Sequence, residues 1–554
     1  MRILSSLLIV LSISIFSFAQ NKQEKAISFL HTNGQDIVNE SGQKILLKGV
    51  GLGNWLLPEG YMWKFGINGD RPRKIEKLVT DLIGKEKAAN FWKVFRQNYI
   101  TEADIKRIAE LGFNSVRPAL NSRLFLTEGE KPVYVEEGFQ LIDSLVTWCK
   151  KYNLYVIIDM HGAPGGQTGA NIDDSPNNIP ELFIERKYQD QLVELWVKLA
   201  QRYKDEPIVA AYDLLNEPLP INTGAADKYK HLLEPLYKRI TAAIRKVDQK
   251  HMITLEGFNW SNDWSLFTKP FDNNVFYQFH YYCWARPDNL NEIDEFLRKR
   301  DELNTPIWVG ETGEKGNAIY WATTQLFESK NIGFSFWPWK KMDTKNTPYS
   351  INKPTNWDLI AEYSKGGAKP DPEIAENALN ELLNNVKLSN CIYFEDVCNA
   401  ILTRVPAKIE AENYGHDGLN RSYFVLDTTN KSKYYRKNEP VKINLESKDT
   451  DQFWSEQSVE LKQHEWVAYT FESLTAGKYM FSLSASATQQ AAELRIFINN
   501  KKVKATVYNK EFKEISIGDY KLKKGKNTIK ILVNSGIVKV DWIRIGAGMT
   551  NIIF

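Results

Sequence analysis

Apolar runs of strand length alternate with helical patterns along the first two thirds of the chain. Runs rich in β-branched and aromatic residues occupy positions 45–51, 113–118, 154–160, 209–215, 252–256, 275–279, 306–309 and 333–336. Continuous apolar runs of this kind are typical of parallel strands that are covered on both faces. Apolar spacings of three and four between the runs predict helices, among them one at 105–111 that Thr101 and Asp104 cap and Gly112 ends. Eight strands alternating with helices predict an α/β fold, a (β/α)₈ barrel.

The pattern changes after residue 366. Positions 370–386 predict one last helix, and positions 390–402 are the expected boundary. From residue 404 onward, short runs of alternating polarity replace the helical spacing, at 466–471, 478–485, 493–498, 528–533 and 538–545. Such runs, separated by turn residues, are typical of a β-sandwich. We therefore predict a signal peptide at 1–19, a barrel domain at 20–400 and an all-β, jelly-roll-like domain at 404–554.

The N-terminus is typical of an export signal. Arg2 precedes an apolar stretch that runs to Phe18, and the small residues Ser17 and Ala19 predict cleavage before Gln20. The product would be secreted or periplasmic. An uncleaved membrane anchor is the alternative, but the run is short for a span and rich in serine.

Charge and cysteine content narrow the partners. The 71 basic and 68 acidic residues give a net charge of +3. So small a net charge produces no strong positive potential that would attract nucleic acid or an anionic membrane. We expect a monomer. The four cysteines lack the spacing of a metal site. In an exported chain, the neighbours Cys391 and Cys398 predict a small disulfide loop, whereas Cys149 lies in a helical stretch and is expected to be a buried thiol.

Two glutamates follow apolar runs at the expected carboxyl ends of strands. Glu217 stands in Leu-Leu-Asn-Glu-Pro, and Glu311 stands in Trp-Val-Gly-Glu-Thr. Their separation of 94 positions matches three βα units of roughly 31 residues, which places them on the fourth and seventh strands. Cleavage of a glycosidic bond requires one protonated and one ionised carboxyl group flanking the bond. The pair therefore predicts a glycosidase.

Other strand ends carry polar or aromatic side chains that would share this face. They are Arg117, His161, Asn216, His280, Tyr282 and Trp337. A single buried polar residue more often belongs to a hydrogen-bond network than to an active site. Their coincidence at the carboxyl ends of barrel strands nevertheless predicts a site there, with Trp337 as a ring on which a sugar can stack. Insertions at 58–99 and 162–180 should wall it.

These residues resemble the pattern of the retaining (β/α)₈ glycoside hydrolases, family 5 in particular, over positions 45–337. The resemblance implies that Glu217 is the acid/base and Glu311 the nucleophile, with no cofactor for catalysis. It also implies that Asn216 binds the sugar 2-hydroxyl and that Arg117 and Tyr282 orient the nucleophile, while His280 lies near the acid/base.

Positions 53–56 and 159–165 resemble the exo-acting β-1,3-glucanase group within that family, whereas positions 167–174 depart from it. A β-1,3- or β-1,4-linked glucan is the expected substrate, bound in a pocket. Another β-linked hexosyl polymer such as mannan, transglycosylation, and a non-catalytic carbohydrate-binding protein remain the alternatives.

The C-terminal domain resembles carbohydrate-binding modules of family 6. The matching segments are 409–414, 464–469 and 540–543. By this resemblance Glu410, Glu412 and Asp541 would hold a structural calcium ion, and an exposed acidic cluster is the alternative. The ligand-binding asparagine of that family is not evident at 534–538, so this domain either binds sugar or only braces the barrel. Trp454 or Tyr423 is either a sugar platform or part of the core.

Overall fold

Eight parallel strands close into a barrel that is preceded by a short hairpin. The computed structural model describes residues 27–283, 293–432, 435–446, 457–488 and 491–547, so the expected signal peptide lies outside the described residues. The hairpin pairs β1 (Leu30–Asn33) with β2 (Asp36–Asn39). The barrel strands are β3 (Lys48–Leu52), β4 (Ser115–Asn121), β5 (Tyr155–Gly162), β6 (Val209–Asp213), β7 (Met252–Glu256), β8 (Val275–His280), β9 (Ile307–Gly313) and β10 (Gly333–Trp337). They follow one another around the barrel in chain order, and β10 closes it against β3.

The prediction of a (β/α)₈ barrel is confirmed. Each of the eight predicted runs overlaps a barrel strand, and nearly every strand residue is buried because the helices cover the outer face of the barrel. Several strands continue past the apolar run into polar residues, as β4 does to Asn121. These polar ends project toward the mouth of the barrel, where the candidate site lies.

Helices surround the barrel and fill its connections. They are α1 (Pro72–Ile83), α2 (Lys85–Tyr99), α3 (Glu102–Glu110), α4 (Glu136–Tyr152), α5 (Glu181–Ile184), α6 (Arg186–Tyr203), α7 (Ala225–Tyr229), α8 (Leu233–Ile244), α9 (Asp294–Leu303), α10 (Asn317–Ser329), α11 (Trp357–Ser364), α12 (Pro372–Asn385) and α13 (Glu395–Ile401). The predicted capping box of α3 is present, since the Thr101 and Asp104 side chains bond each other's backbone N–H groups. No described helix has the length and apolar content that a membrane span requires.

The insertion at 58–99 does more than wall the barrel mouth. Its helices α1 and α2 pack on α12, and Trp63, which precedes α1, contacts Phe91 and Phe95 of α2 and Trp357 of α11. Only its first residues reach the site. The remainder forms an additional layer of the core.

The described chain after the barrel forms one small sheet and two large, mainly antiparallel sheets. A small sheet comes first, with β11 (Lys340–Met342), β12 (Tyr349–Ile351) and β13 (Ile392–Tyr393). The two large sheets contain β14 (Arg404–Val405), β15 (Ala407–Glu410), β16 (Tyr423–Phe424), β17 (Lys442–Leu445), β18 (Gln457–Lys462), β19 (Trp466–Ser473), β20 (Gly477–Ala487), β21 (Ala492–Ile498), β22 (Lys501–Val507), β23 (Lys513–Leu522), β24 (Gly525–Ser535) and β25 (Ile537–Ala547). The first sheet has the order β14-β19-β24-β21-β22 with β16 on β19, and the second has the order β17-β18-β25-β20-β23 with β15 on β25. This confirms the predicted β-rich architecture.

Two details differ from the sequence-based expectations. Cys391 and Cys398 do not form a disulfide: the Cys391 thiol donates to the carbonyls of Asn385 and Lys387, and Cys398 is buried in α13. Tyr423 is buried and packs edge-on against Tyr414, so it is part of the core rather than a sugar platform. The other candidate platform, Trp454, lies outside the described residues.

Candidate active site

A cavity of about 690 Å³ opens at the carboxyl ends of the barrel strands. Its described lining residues are Glu59, Tyr61, His161, Asn171, Ile172, Glu217, Trp260, Asn262, His280, Tyr281, Tyr282, Glu295, Phe296, Glu311, Glu314 and Trp337. Both predicted insertions contribute, through Glu59 and Tyr61 from the first and through Asn171 and Ile172 from the second. The cavity therefore lies where the strand-end residues were expected to meet.

The two predicted glutamates face each other in this cavity. Glu217 and Glu311 are 8% and 4% exposed, and an oxygen of each lies within 4.8 Å of the other and of a His280 nitrogen. Retaining glycosidases hold their carboxyl groups about 5–5.5 Å apart, whereas inverting enzymes leave about 6.5–9.5 Å. The approach of two carboxyl oxygens to within 4.8 Å is consistent with the shorter class.

Two donors bind the carboxyl group of Glu311. Arg117 donates from Nη1 to Oε1 at 2.7 Å, and the Tyr282 hydroxyl donates to Oε2 at 2.8 Å. Burial opposes the charge of Arg117, but Asp159 and the neighbouring carboxylates keep the pKa of its guanidinium well above the ordinary value. A guanidinium against one oxygen and a hydroxyl against the other fix the orientation of Glu311.

Glu217 has a different environment. Its Oε1 lies 2.6 Å from Nδ1 of His280, and its backbone adopts φ +44°, a left-handed value that a glutamate rarely takes. Burial raises the pKa of Glu217, His280 opposes that rise and the charge of Glu311 adds to it, so the net shift is upward. One carboxyl group is thus favoured in its protonated form while its neighbour is bound to a cation.

His161 and Arg117 together orient the Asn216 side chain. Burial lowers the pKa of His161 to about 4, so the ring is neutral at neutral pH. Its Nδ1 donates to Asp159 at 2.7 Å, which leaves Nε2 to accept from Asn216 Nδ2 at 3.2 Å. Arg117 donates to the side-chain oxygen of Asn216, Oδ1, at 2.9 Å. The Asn216 amide is therefore fixed with its nitrogen toward His161.

Trp337 forms one side of the cavity. Its ring stacks on the ring of His161, with centroids 5.2 Å apart and planes 4° apart, and its Nε1 donates to the Tyr61 hydroxyl at 3.0 Å. All eight predicted strand-end residues are thus close together in space. Six of them line the cavity, while Arg117 and Asn216 lie directly beneath it.

Several residues in and below the cavity were not predicted. Glu59 is 3% exposed, and burial together with Glu311 and nearby carboxylates raises its pKa well above the ordinary value. Trp260 lines the cavity from a turn in which three successive residues have left-handed φ values. Glu256 ends β7 under Glu217. The position of Glu256 at a strand end could have been used as a signal, whereas Glu59 and Trp260 lie in loops without periodic pattern.

The three expected calcium ligands do not form a compact set of oxygens. Among the described residues, one group of acidic and histidine side chains has ligand atoms all within 4.8 Å of one another, and it is Glu217, His280 and Glu311. In the sandwich, Glu410 pairs with Lys408 at 3.0 Å. Glu412 is buried with its Oε2 unpartnered among the described residues, and burial together with Glu410 raises its pKa well above the ordinary value.

Comparisons with known proteins point to one family. Residues 80–343 match the cellulase family, glycosyl hydrolase family 5. The chain is 32% identical to endoglucanase C of Acetivibrio thermocellus over 313 residues, which cover 46% of this chain and 88% of that protein. It is 33% identical to a β-xylosidase of Phanerodontia chrysosporium, covering 44% of this chain and 48% of that protein, so the chain spans about half the length of that relative. It is 29% identical to a probable glucan 1,3-β-glucosidase A of Emericella nidulans, covering 52% of this chain and 71% of that protein.

Proposed function

Because this chain belongs to glycosyl hydrolase family 5, the cellulase family, we propose that it hydrolyses a β-1,3- or β-1,4-linked glucan with retention of anomeric configuration. The observation that carries the proposal is the close pair of carboxyl groups with contrasting partners. Glu311 binds a buried guanidinium and a tyrosine hydroxyl, while burial raises the pKa of Glu217. This contrast supports Glu311 as the nucleophile and Glu217 as the acid/base.

The first half of the reaction forms a glycosyl-enzyme. A Glu311 oxygen attacks the anomeric carbon while the bond from that carbon to the leaving oxygen breaks, and Glu217 gives its proton to that oxygen. Burial opposes a charge on His280, but its carboxylate neighbours outweigh burial and raise its pKa well above the ordinary value, which favours the ring with protons on both nitrogens. Its Nδ1 donates to Glu217 Oε1, so the transferable proton resides on Oε2.

The second half restores the enzyme. A water molecule loses a proton to the Glu217 carboxylate and attacks the anomeric carbon, and the bond to Glu311 breaks. Asn216 directly precedes Glu217 and shares the Arg117 guanidinium with Glu311, so its amide is already oriented. This supports its role in binding the sugar 2-hydroxyl. Trp337 offers its ring to the sugar.

The cavity walls support exo action on a chain end. Glu59 and Tyr61 bound it next to Trp337, and Asn171 and Ile172 bound it from the second insertion. The names of the relatives include an endoglucanase and a glucan 1,3-β-glucosidase, so linkage and mode are the parts of the proposal to test first. If the purified protein rapidly cut an internal, end-blocked glucan, exo action would be refuted.

One set of experiments tests the proposed reaction. Linkage-defined β-1,3- and β-1,4-gluco-oligosaccharides, mannans and aryl glycosides are incubated with the protein, and product lengths are read by chromatography. The anomer released first is read by proton NMR. We expect glucan cleavage with retention, and Glu311→Ala should abolish turnover while binding measured by calorimetry persists. A wild-type protein that binds these glycans and cleaves none of them would contradict the proposal.

We also propose that residues 404–554 form a carbohydrate-binding-module-like domain with a structural calcium ion, and that residues 20–400 form the catalytic domain. The buried, unpartnered Oε2 of Glu412 and the carboxyl of Glu410, whose pKa burial raises to about 7, support a missing cation. Calcium should raise the melting temperature of the wild-type protein and leave that of Glu412→Gln unchanged. Equal melting temperatures of the wild type in calcium and in chelator would refute the site.

We propose that residues 1–19 are a signal peptide that directs export and is then removed. N-terminal sequencing of the protein recovered outside the cytoplasm should begin at Gln20. Recovery of the full-length chain from a membrane fraction would favour the anchor instead.

A further inference from the structure

Glu256 is a fully buried carboxylate that the reaction itself does not use. It ends β7 and is 0% exposed. One oxygen, Oε2, accepts the backbone N–H of Glu217 at 2.7 Å. The other, Oε1, lies 3.3 Å from Nε2 of His280 and accepts from Arg117 at 3.1 Å. It thus contacts the backbone of the acid and the far side of that acid's imidazole partner.

We propose that Glu256 is a positioning residue that anchors the backbone of Glu217 and pairs with His280, so that acid/base, imidazole and second carboxylate act as one assembly. The inference rests on the proposed role of Glu217 as acid/base. It assigns no contact between Glu256 and substrate.

The backbone contact has a specific task. Glu217 adopts φ +44°, and such a conformation in a non-glycine residue persists only where neighbouring contacts impose it. Asn216 is held on the preceding side, where Gln167 donates to its carbonyl at 2.9 Å. The 2.7 Å bond from the Glu217 N–H to Glu256 is the corresponding restraint at the strained residue itself. Without this bond, the backbone that positions the Glu217 side chain would no longer be held in place.

The imidazole contact has an electrostatic task. His280 lies 2.6 Å from Glu217, 3.3 Å from Glu256 and 3.6 Å from Glu311. A protonated ring next to Glu217 favours the ionised form of that acid, and a carboxylate on the far side of the ring compensates this charge. Glu256 therefore helps Glu217 keep its proton until the leaving group needs it. The other charged groups around the assembly are Arg117 on β4, Asp159 on β5, Asp213 on β6 and Glu59 from the loop after β3.

Two substitutions separate the two tasks. Glu256→Gln keeps an oxygen that can accept the Glu217 N–H and removes the charge. We expect the alkaline limb of the kcat/KM profile, which reports the acid, to move to lower pH by about one unit. Glu256→Asp keeps the charge and shortens the side chain. We expect its alkaline limb to stay near that of the wild type while kcat falls, because the backbone restraint is lost.

The segment before the same strand supplies a matched control. Asp248 precedes β7 at the opposite end of the barrel and lies 2.6 Å from Nδ1 of His251, with both side chains 0% exposed. Asp248→Asn therefore also replaces a buried carboxylate beside a histidine by an amide, but far from the cavity. It should leave the pH profile of kcat/KM unchanged even if it lowers the melting temperature.

The outcomes distinguish this inference from the proposed function. Absence of hydrolysis by the wild type would refute the function. If the wild type is active and the alkaline limb of Glu256→Gln lies at the same pH as that of Asp248→Asn, the inference is overturned. It is also overturned if Glu256→Asp shifts the limb as much as Glu256→Gln does. If Glu256→Gln does not fold, Glu256→Asp decides alone: an unchanged limb with reduced kcat supports the inference, and an unchanged kcat overturns it.

Discussion

A single methyl group at Gly53 should displace the Trp337 ring. Gly53 follows β3, and a Cβ atom there would lie 2.6 Å from both Cζ2 and Cη2 of Trp337. Ordinary contact begins near 3.4 Å, so the ring must retreat by about 0.8 Å. Stacking on His161 and the bond to Tyr61 oppose that retreat. A misplacement of about 1 Å in a substrate-positioning group can cost about 100-fold in rate, or about 2.7 kcal/mol.

The assay is kcat/KM for Gly53→Ala on an aryl β-glucoside, with folding checked by thermal unfolding. We expect a loss of about 10- to 100-fold. Gly316→Ala is the control, because a Cβ at Gly316 meets no atom within 4 Å. The atoms that collide belong to the six-membered ring of the indole. Gly53→Ala should therefore cost less in a Trp337→Phe background, and equal losses in both backgrounds would refute the steric reasoning.

Three further predictions follow from other contacts. Tyr282→Phe removes the 2.8 Å bond to Glu311 Oε2; because hydrogen bonds to charged groups contribute about 1.5–3 kcal/mol, kcat/KM should fall about 10- to 150-fold, and an unchanged value would contradict the role of Tyr282. Burial raises the pKa of Glu59 above its unfolded value, so its contribution to stability is complete below the unfolded pKa and is lost as the pH rises through the folded pKa. The melting temperature of Glu59→Gln should therefore rise relative to that of the wild type as the pH rises. A difference between the two melting temperatures that stays constant with pH would disprove the raised pKa of Glu59. Because Cys391 and Cys398 are unbridged, a reducing agent should leave the melting temperature unchanged, and detection of a Cys391–Cys398 peptide by mass spectrometry would show otherwise.

The barrel and its strand-end residues could be predicted because burial on both faces leaves a clear record in sequence. A strand such as β9 is short and apolar up to Glu311, and the polar residue that follows the run must project toward the mouth. Glu217, Glu311 and their six neighbours were found in this way.

Other features could not be read from the sequence because they depend on contacts between distant segments. Glu256 was visible as the end of a strand. Its proposed role, however, depends on its contacts with the Glu217 backbone and His280 beneath the cavity. The edge strands β22 and β23 were missed because exposed lysines at 501, 502, 504 and 513 obscure their alternation. The proximity of Cys391 and Cys398 in sequence suggested a bond, but the intervening turn into α13 directs the two thiols to different partners.

The left-handed backbone at Glu217 makes two demands on this position conflict. Stability favours glycine there, whereas the proposed reaction needs a carboxyl group. A glutamate in this conformation costs about 1–3 kcal/mol that a glycine would not. A descendant of this chain that no longer needs the Glu217 carboxyl would therefore become more stable if glycine replaced it. Reversion would then require a destabilising step, so inactive homologues that have glycine at this position should be evolutionary endpoints rather than intermediates.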